Sequence, residues 1–231
     1  MKRALQIRRT IAVVVIVMLV LVLLFINADM WQPARPASQS SASNEVVDAL
    51  NTLEVKGRAP KTGYTREQFG KGWLETGGCD TRNKILYRDL VDAKVNDTCK
   101  VVSGTLHDPY TGKDIIFTRG ASTSDAIQID HVVALGDAWQ KGAQQLTAAE
   151  REQLANDPLE LLAVDGKANQ QKSDSDAASW LPPNKPFRCQ YVARQVAVKK
   201  KYKLWVTQAE KDAIINVISS CPAQTLPRPT V

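Results

Sequence analysis

The stretch Ile127-Gln-Ile-Asp-His-Val-Val-Ala-Leu135 places an acid and an imidazole inside an otherwise apolar, β-branched run. Such a run favours a buried strand. Burying an unpaired charge is costly, so the Asp130-His131 pair needs something bound to it. The chain has two histidines, and only His131 has an acidic neighbour in an apolar frame. Histidine-dependent chemistry is therefore predicted at His131, whereas His107, beside a turn, is predicted to lie on the surface.

Length and charge place the chain among ordinary globular proteins. With 231 residues, 44% of them hydrophobic and 23% charged, it can form one sizeable core. The net charge of +6 comes largely from the basic stretch Lys2–Arg9, without which 26 basic residues face 24 acidic ones. The overall charge is therefore a poor argument for nucleic-acid binding, and a local basic cluster would be a better one.

The N-terminal region is predicted to be a targeting segment. The basic stretch precedes an unbroken apolar run, Ile11–Ile26, which is slightly long for the core of a signal peptide. The run is slightly short for a membrane span, which needs about 20 residues. Residues 1–28 are thus predicted to be a signal peptide or an N-terminal signal anchor. In both cases the positive-inside rule puts the rest of the chain outside the cytoplasm, secreted or held at the membrane.

The cysteines fit that compartment. Cys79, Cys99, Cys189 and Cys221 contain no C-x-x-C pair, which excludes zinc-ribbon spacing. An even number of cysteines in an exported protein indicates two disulfides. The sequence does not determine their pairing, and we expect the local one, Cys79 with Cys99 and Cys189 with Cys221.

Apolar periodicity and capping signals predict an α+β domain over residues 44–222. Before it, residues 29–43 form a Pro/Ser-rich flexible tether, and after it residues 223–231 form a disordered tail. Helices are predicted over 44–53, from the capping box at Thr65, and over 80–90, 147–155, 167–172, 188–203 and 207–220. Strands are predicted over 100–106 and 113–118, as a hairpin, then at the Asp130-His131 run and over 159–164.

The order of strand, second strand, tight turn and helix around Asp130-His131 resembles the His-Me finger, or ββα-metal, nucleases of the HNH class. The closer resemblance is to the exported HNH-type family related to the C-terminal domain of GmrSD-like restriction endonucleases. It covers about residues 45–221. The phrases that carry it are Asp130-His-Val-Val-Ala-Leu135, Ala138-Trp139, Gly142-Ala143, Ala155-Asn-Asp-Pro158, Leu161-Leu-Ala-Val164, Asn169-Gln-Gln-Lys172, Trp180-Leu-Pro-Pro183, Cys79-Asp-Thr-Arg82 and Asp108-Pro-Tyr-Thr-Gly112.

This resemblance implies a ββα-metal core within one mostly helical domain that also carries a β-hairpin and the two disulfides. It implies a metal-dependent endonuclease that acts on DNA, or on RNA as well, with little sequence specificity. His131 would be the general base, a role that suits an imidazole with a pKa near ~6.5. Asp130 and Asn169 would hold one divalent metal. Mg²⁺ fits best because it keeps several waters and needs few protein ligands, and Mn²⁺ and Ca²⁺ are the alternatives.

One position departs from the family pattern. The family has an asparagine on the second strand, nine residues before the helical one, which orients the backbone around the histidine. Here that position is Glu160. An ionised glutamate cannot donate a hydrogen bond, so Glu160 would either add a ligand near the metal or lower the activity.

Contacts to nucleic acid are expected from cations near the site and from one helix. Arg82 and Lys172 lie within the family phrases. The predicted helix over 188–203 holds several cations and no acid, which favours phosphate binding in a nuclease. Its candidate residues are Arg194, Lys199, Lys200 and Lys201.

Two other functions compete with this one. A weakened or inactive nuclease-fold module could bind nucleic acid or a cell-surface polymer, with Glu160 as the sign of lost activity. Another class of hydrolase is disfavoured because the chain has no G-x-S-x-G, H-E-x-x-H or Walker sequence. The sequence indicates no obligate protein partner, and it gives the protein a membrane contact only if the N-terminal segment is retained.

Overall fold

A computed structural model describes residues 14–15, 17–19, 22 and 44–227. The chain divides into two compact units, Met1–Ala42 and Ser43–Val231. Among the described residues no helix is long and apolar enough to span a membrane. The predicted targeting segment lies mostly, and the tether entirely, outside the described residues, so both stay predictions.

The second unit is a mixed fold of helices and short antiparallel strands. The α-helices are α1 (Glu45–Asn51), α2 (Thr81–Asp89), α3 (Leu135–Gln140), α4 (Ala148–Ala155), α5 (Gly166–Lys172), α6 (Arg188–Lys201) and α7 (Gln208–Ile218). The strands are β1 (Glu75–Thr76), β2 (Cys79–Asp80), β3 (Leu90–Val95), β4 (Val101–His107), β5 (Asp114–Thr118), β6 (Ile127–His131) and β7 (Leu161–Asp165). Single 3₁₀ turns occupy Arg66–Phe69, Ser124–Ala126, Ala143–Gln145 and Lys185–Phe187.

The strands form three small sheets, with the orders β1-β2, β3-β4-β5 and β6-β7. The predicted hairpin is present as β4 and β5, but β3 adds a third strand that the sequence did not predict. Most side chains of β3 are exposed, so its sequence lacks the apolar alternation that announces a strand. The fold is therefore less helical than we expected.

The third sheet carries the Asp130-His131 pair. β6 and β7 pair antiparallel, with Ile127 opposite Asp165 and His131 opposite Leu161. Ile129 of β6 joins the core cluster below α2 and the three-stranded sheet, whereas Leu162 of β7 joins the cluster formed by α1, α6 and α7. Both faces of the sheet are thus covered, which explains the apolar run. The strand ends at His131 and does not continue to Leu135, where α3 begins.

Helix α5 follows β7 without a loop. The side chain of Asp165 accepts a hydrogen bond of 2.7 Å from the backbone N–H of Ala168 and so caps the helix. The first helical residue has to be glycine, because a Cβ at Gly166 would lie 2.1 Å from the carbonyl oxygen of Asp125, just before β6. This close approach lays α5 across β6 and brings Asn169 to the side chains of that strand.

Both disulfides join the expected partners, Cys79 with Cys99 and Cys189 with Cys221, at Cα separations of 5.3 and 6.4 Å. The local pairing predicted from the sequence is confirmed. At the start of the predicted C-terminal tail, the N–H of Leu226 donates to the Glu45 carboxylate of α1 at 3.2 Å. Leu226 also packs against the core.

Candidate active site

Asp130 is buried on the side of β6 that faces α5. Its Oδ1 accepts a hydrogen bond of 2.9 Å from Nζ of Lys172, a residue of α5. Its Oδ2 accepts from the hydroxyl of Tyr110, which the turn between β4 and β5 delivers. Burial raises the pKa of the Asp130 carboxyl, and the donors Lys172 and Tyr110 counteract only part of that effect. The acid found by sequence pattern is thus paired inside the fold.

The turn that delivers Tyr110 is fixed by another buried acid. Asp108 accepts hydrogen bonds from the backbone of Thr111 at 2.7 Å and from the N–H of Asp165 at 2.9 Å. It therefore ties the β4-β5 turn to the junction of β7 and α5. The two elements that meet at Asp130 are held at a fixed distance from each other.

His131 lies at the end of β6 with only 6% of its surface exposed. Its Nε2 is 3.0 Å from the carbonyl oxygen of Ala155, which can only accept, so Nε2 carries the proton. Trp73 stacks on the ring at a centroid distance of 5.7 Å and an angle of 6°. The pKa of His131 is lowered to about 3, mainly by burial and also by the charges of Arg66 and Lys172, although the hydrogen bond to Ala155 opposes them. The ring is therefore neutral at physiological pH, with a free lone pair on Nδ1.

One cavity of about 410 Å³ brings the predicted site residues together. His131, Asp130 and Asn169 all line it, although adjacent strand residues point to opposite faces. The end of β6 at His131 resolves this conflict. Nδ2 of Asn169 donates to Oε1 of Gln128 at 2.9 Å, which leaves the amide oxygen of Asn169 without a hydrogen bond among the described residues.

The first peptide unit after His131 is held on both sides. Its carbonyl oxygen accepts a hydrogen bond of 2.8 Å from Nζ of Lys172. Its N–H, which belongs to Val132, donates to the backbone carbonyl of Glu160 at 2.9 Å. The backbone that leaves the histidine is therefore fixed by α5 on one side and by the residue preceding β7 on the other.

The next peptide unit is also held on both sides. The carbonyl of Val132 accepts from Nε2 of Gln195 in α6 at 3.0 Å. The N–H of Val133 donates to Oε2 of Glu160 at 3.2 Å. Glu160 thus orients the backbone beside the histidine.

The other carboxyl oxygen of Glu160 differs from its neighbour. Oε1 is buried with no hydrogen-bond partner among the described residues, and the side chain is fully buried. Burial raises the pKa of Glu160 well above its ordinary range, and the N–H of Val133 only partly offsets this. A protonated glutamic acid keeps one acceptor and gains one donor, as an amide does. Glu160 is not among the residues that line the cavity of Asp130 and Asn169.

Two of the predicted nucleic-acid contacts are not on the surface. Lys172 and Lys199 are fully buried. Lys172 binds Asp130, and Lys199 pairs with Glu210 at 2.9 Å and with Asp137 at 3.4 Å. Neither ammonium group can meet a polyanion outside the fold. The helix over 188–203 contains no acid of its own, but acids of other elements face it.

The remaining predicted contacts are spread over separate places. Arg82 lines the cavity of Asp130 and donates to the carbonyl of Ile127 at 3.5 Å. Arg194 is tied to the carbonyl of Leu159 at 2.9 Å. Lys201 pairs with the buried Asp157 at 2.5 Å, which leaves Lys200 as the exposed member without an ion pair among the described residues. The structure therefore brings only Arg82 to the cavity.

Four residues of the site escaped prediction. They are Trp73, Tyr110, Gln128 and Gln195, and each reaches the site from a different element. Tyr110 lies within a family phrase, and that was the one signal that pointed to it. His107, in contrast, is exposed at the end of β4 and pairs with Asp114 at 2.5 Å, as expected for a surface residue.

Comparison with known proteins finds similarity over most of the chain. The model of the family described as GmrSD restriction endonucleases, C-terminal domain, matches residues 80–217. An uncharacterized secreted protein from Arthroderma benhamiae is 35% identical over 191 residues, which cover 82% of this chain and 90% of that protein. No solved structure matches the chain.

Proposed function

Because this chain belongs to the family of GmrSD restriction endonucleases, C-terminal domain, we propose that it is a nuclease that hydrolyses phosphodiester bonds. The observation that carries the proposal is the cavity where His131, Asp130 and Asn169 meet. β6 supplies Asp130 and His131, α5 supplies Asn169, and β7 lies between them in the strand, strand, helix order expected of a ββα-metal core. A metal-dependent nuclease needs a histidine as general base beside oxygen ligands for a hard metal ion, and this cavity offers both.

His131 is the proposed general base. Nε2 donates to Ala155, so the proton of the attacking water would go to Nδ1. A pKa of about 3 keeps the ring ready to accept a proton, but such a weak base has little driving force. A bound phosphate supplies negative charge near the ring and raises this pKa, because an opposite charge favours the imidazolium. Lys172 and Glu160 fix the backbone so that the ring keeps its position.

Asp130 and Asn169 are the proposed holders of one divalent metal. The amide oxygen of Asn169 is free of hydrogen bonds among the described residues, and a carboxylate oxygen can accept more than one partner, so Asp130 keeps capacity beside Lys172 and Tyr110. The described residues contain no group of three or more His, Cys, Asp or Glu placed for a metal. This donor set suits Mg²⁺, which keeps most of its waters. When bound, such an ion supplies positive charge to the phosphate in the transition state.

We further propose that the protein works outside the cytoplasm. The two disulfides fit an oxidising compartment, and the relative from Arthroderma benhamiae is described as secreted. The predicted targeting segment at residues 1–28 would take it there. The proposed substrate is nucleic acid in that compartment, both DNA and RNA, which the protein cleaves with little sequence specificity.

The test is cleavage of plasmid DNA and of total RNA by the full-length secreted protein with Mg²⁺, Mn²⁺ or Ca²⁺, and with EDTA. We expect cutting with at least one metal, none with EDTA, and none by His131→Ala. The chain offers a matched control in His107→Ala, which removes the exposed histidine and should leave cutting unchanged. Cutting that survives His131→Ala would remove the assigned base, and no cutting by the unaltered protein under any metal would overturn the nuclease.

A second candidate has one observation in its favour. Both carboxylate oxygens of Asp130 are already engaged by Lys172 and Tyr110. A module that kept the fold but could not recruit a metal would bind nucleic acid in a salt-sensitive manner without cutting it. The same assay distinguishes the two functions when binding is measured beside cleavage.

A further inference from the structure

A second cavity of about 370 Å³ meets the first one at His131. Arg66, His131 and Leu135 line both, so a ligand that spans them passes the imidazole. The volume lies within the range of small-ligand sites, about 300–1,000 Å³. We call it the Trp73 cavity, after the tryptophan that stacks on His131.

The wall of the Trp73 cavity is aromatic and apolar. Trp73 is half-buried and runs parallel to the His131 ring, and Phe69 and Leu135 extend the apolar lining. A flat aromatic platform of this kind binds nucleobases irrespective of their sequence, since every base has a π-face. The first cavity, which Asp130 and Asn169 line, offers polar groups instead.

The rim of the Trp73 cavity is basic. Arg66 and Lys71 are exposed and line it, and neither makes an ion pair within 4.0 Å among the described residues. Glu67 is its single acidic lining residue within the described part of the chain. The backbone of Gly72 also lines the cavity. It is open to a ligand, because Gly72 has a φ of 133° and a Cβ there would meet nothing within 4 Å. Unpaired cations beside an open backbone fit a phosphate.

We propose that the Trp73 cavity binds one nucleotide of single-stranded nucleic acid next to the cleaved bond, with its base on Trp73 and its phosphate at Arg66 and Lys71. This inference rests on the proposed nuclease function and deepens it. A base inside a duplex is stacked and paired, so it cannot reach Trp73 without leaving the helix. The protein therefore prefers single strands, loops and ends over intact duplex.

The test measures binding and not catalysis. Fluorescence anisotropy in EDTA compares an oligothymidylate with a wholly abasic oligomer of the same length, and a gel checks that both strands stay intact. Trp73→Leu should weaken binding of the oligothymidylate by about 5- to 100-fold, the range expected when one stacked base is lost. Binding of the abasic oligomer should change less than about twofold, because it has no bases to stack.

Three further variants complete the design. Trp73→Phe keeps an aromatic platform and should retain binding of the oligothymidylate to within about threefold, even if Trp73→Leu folds poorly. Lys71→Ala should weaken both oligomers alike, because it removes a phosphate contact. Lys113→Ala, an exposed lysine of the turn before β5, should change neither.

The outcomes separate this inference from the function on which it rests. Equal weakening of both oligomers by Trp73→Leu, or no weakening, would overturn the base site while plasmid cutting remained. Cutting of duplex as fast as of single strands would count against it too. If the unaltered protein neither cuts nor binds nucleic acid, the proposed function itself fails.

Discussion

Two groups of buried charges in this molecule respond to burial in opposite ways. The first, which we call the ionic cluster, joins α3, α6, α7 and two loops. It consists of the buried Lys141, Lys199, Asp137, Asp176 and Glu210, with the exposed Arg58 at its edge. The second is the site group around β6, which consists of Asp130, His131, Glu160 and Lys172. The ionic cluster has three cations for three carboxylates. The site group has a single cation, Lys172, for two carboxyl groups and an imidazole.

In the ionic cluster, opposite charges outweigh burial at Asp176 and Lys199. Lys141 lies 2.7 Å from both Asp176 and Glu210 and 2.8 Å from Asp137. Burial raises the pKa of Asp176, but the hydrogen bond and charge of Lys141 outweigh it and lower the pKa to about 2. Burial likewise lowers the pKa of Lys199, and its carboxylates reverse this and raise it. Enough opposite charge makes burial compatible with ionisation.

In the site group, burial outweighs the partners of His131 and Glu160 instead. Burial lowers the pKa of His131 to about 3 and raises the pKa of Glu160 well above its ordinary range. Asp130 and Lys172, the other two members, pair with each other at 2.9 Å. Burial alone therefore does not determine whether a group is charged; the number of oppositely charged partners sets its protonation state. A neutral site bordered by cations suits a substrate that brings its own negative charge.

The largest effect should come from breaking the ionic cluster. Lys141→Met leaves three buried carboxylates with too few cations, and we expect the free energy of unfolding to fall by about 3–5 kcal/mol. Urea denaturation measures this. Lys200→Met on the exposed face of α6 is the matched control and should stay within about 0.5 kcal/mol. A loss for Lys141→Met as small as that of the control would mean that the cluster is not needed to hold these elements.

Removing the carboxyl group of Glu160 should raise the free energy of unfolding. Glu160→Gln keeps the acceptor for Val133 and removes a group that is costly to hold protonated at neutral pH. We expect a gain of about 1–3 kcal/mol at pH 7 and no gain near pH 4. Cleavage should be retained, because an amide reproduces the hydrogen bond.

Glu160→Leu is the matched variant that loses the hydrogen bond. It leaves the N–H of Val133 buried without a partner, and the free energy of unfolding should fall by about 1–3 kcal/mol relative to Glu160→Gln. If Glu160→Gln destabilised the protein at pH 7 as much as Glu160→Leu does, the carboxyl would be an ionised, paired group like those of the ionic cluster.

The cation of the site should matter less than the cation of the ionic cluster. After Lys172→Met, Asp130 still accepts a hydrogen bond from the Tyr110 hydroxyl and still lines the cavity. We therefore expect the free energy of unfolding to fall by about 1–2 kcal/mol. Mn²⁺ should recover part of this loss in a melting curve, because Asp130 no longer has a competing ammonium. A loss as large as that of Lys141→Met, with no response to Mn²⁺, would place Lys172 among the purely structural charges.

The contrast between the two groups could not be predicted from the sequence. The capping box at Thr147 formed as its residues required, because both partners lie within one turn. The strand, strand and helix order around Asp130-His131 was equally local. The burial of Lys199 is not local, since its partners Glu210 and Asp137 come from other elements. The sequence of an acid-free helix therefore predicts a surface lysine there. Only burial by distant elements determines the protonation of Glu160.

The smallest effect should appear as opposite pH slopes of stability. Asp176 has a folded pKa below its unfolded value, so its contribution is present above about pH 4 and is lost as the pH falls towards about 2. We expect this to be worth roughly 1–2 kcal/mol once partial screening is allowed for. Glu160 has a raised folded pKa, so its contribution is present below about pH 4.5 and is lost as the pH rises.

Two variants separate these slopes in urea denaturation between pH 2 and pH 8. Asp176→Asn should reduce the pH dependence of the free energy of unfolding only at acid pH. Glu160→Gln should reduce it only towards neutral pH. Asp174→Asn is the control for the first, because Asp174 pairs with Lys61 on the surface and should contribute little. If Asp176→Asn left the acid slope intact, the ionic cluster would not hold its charges by pairing. The difference between the two buried groups would then need another cause.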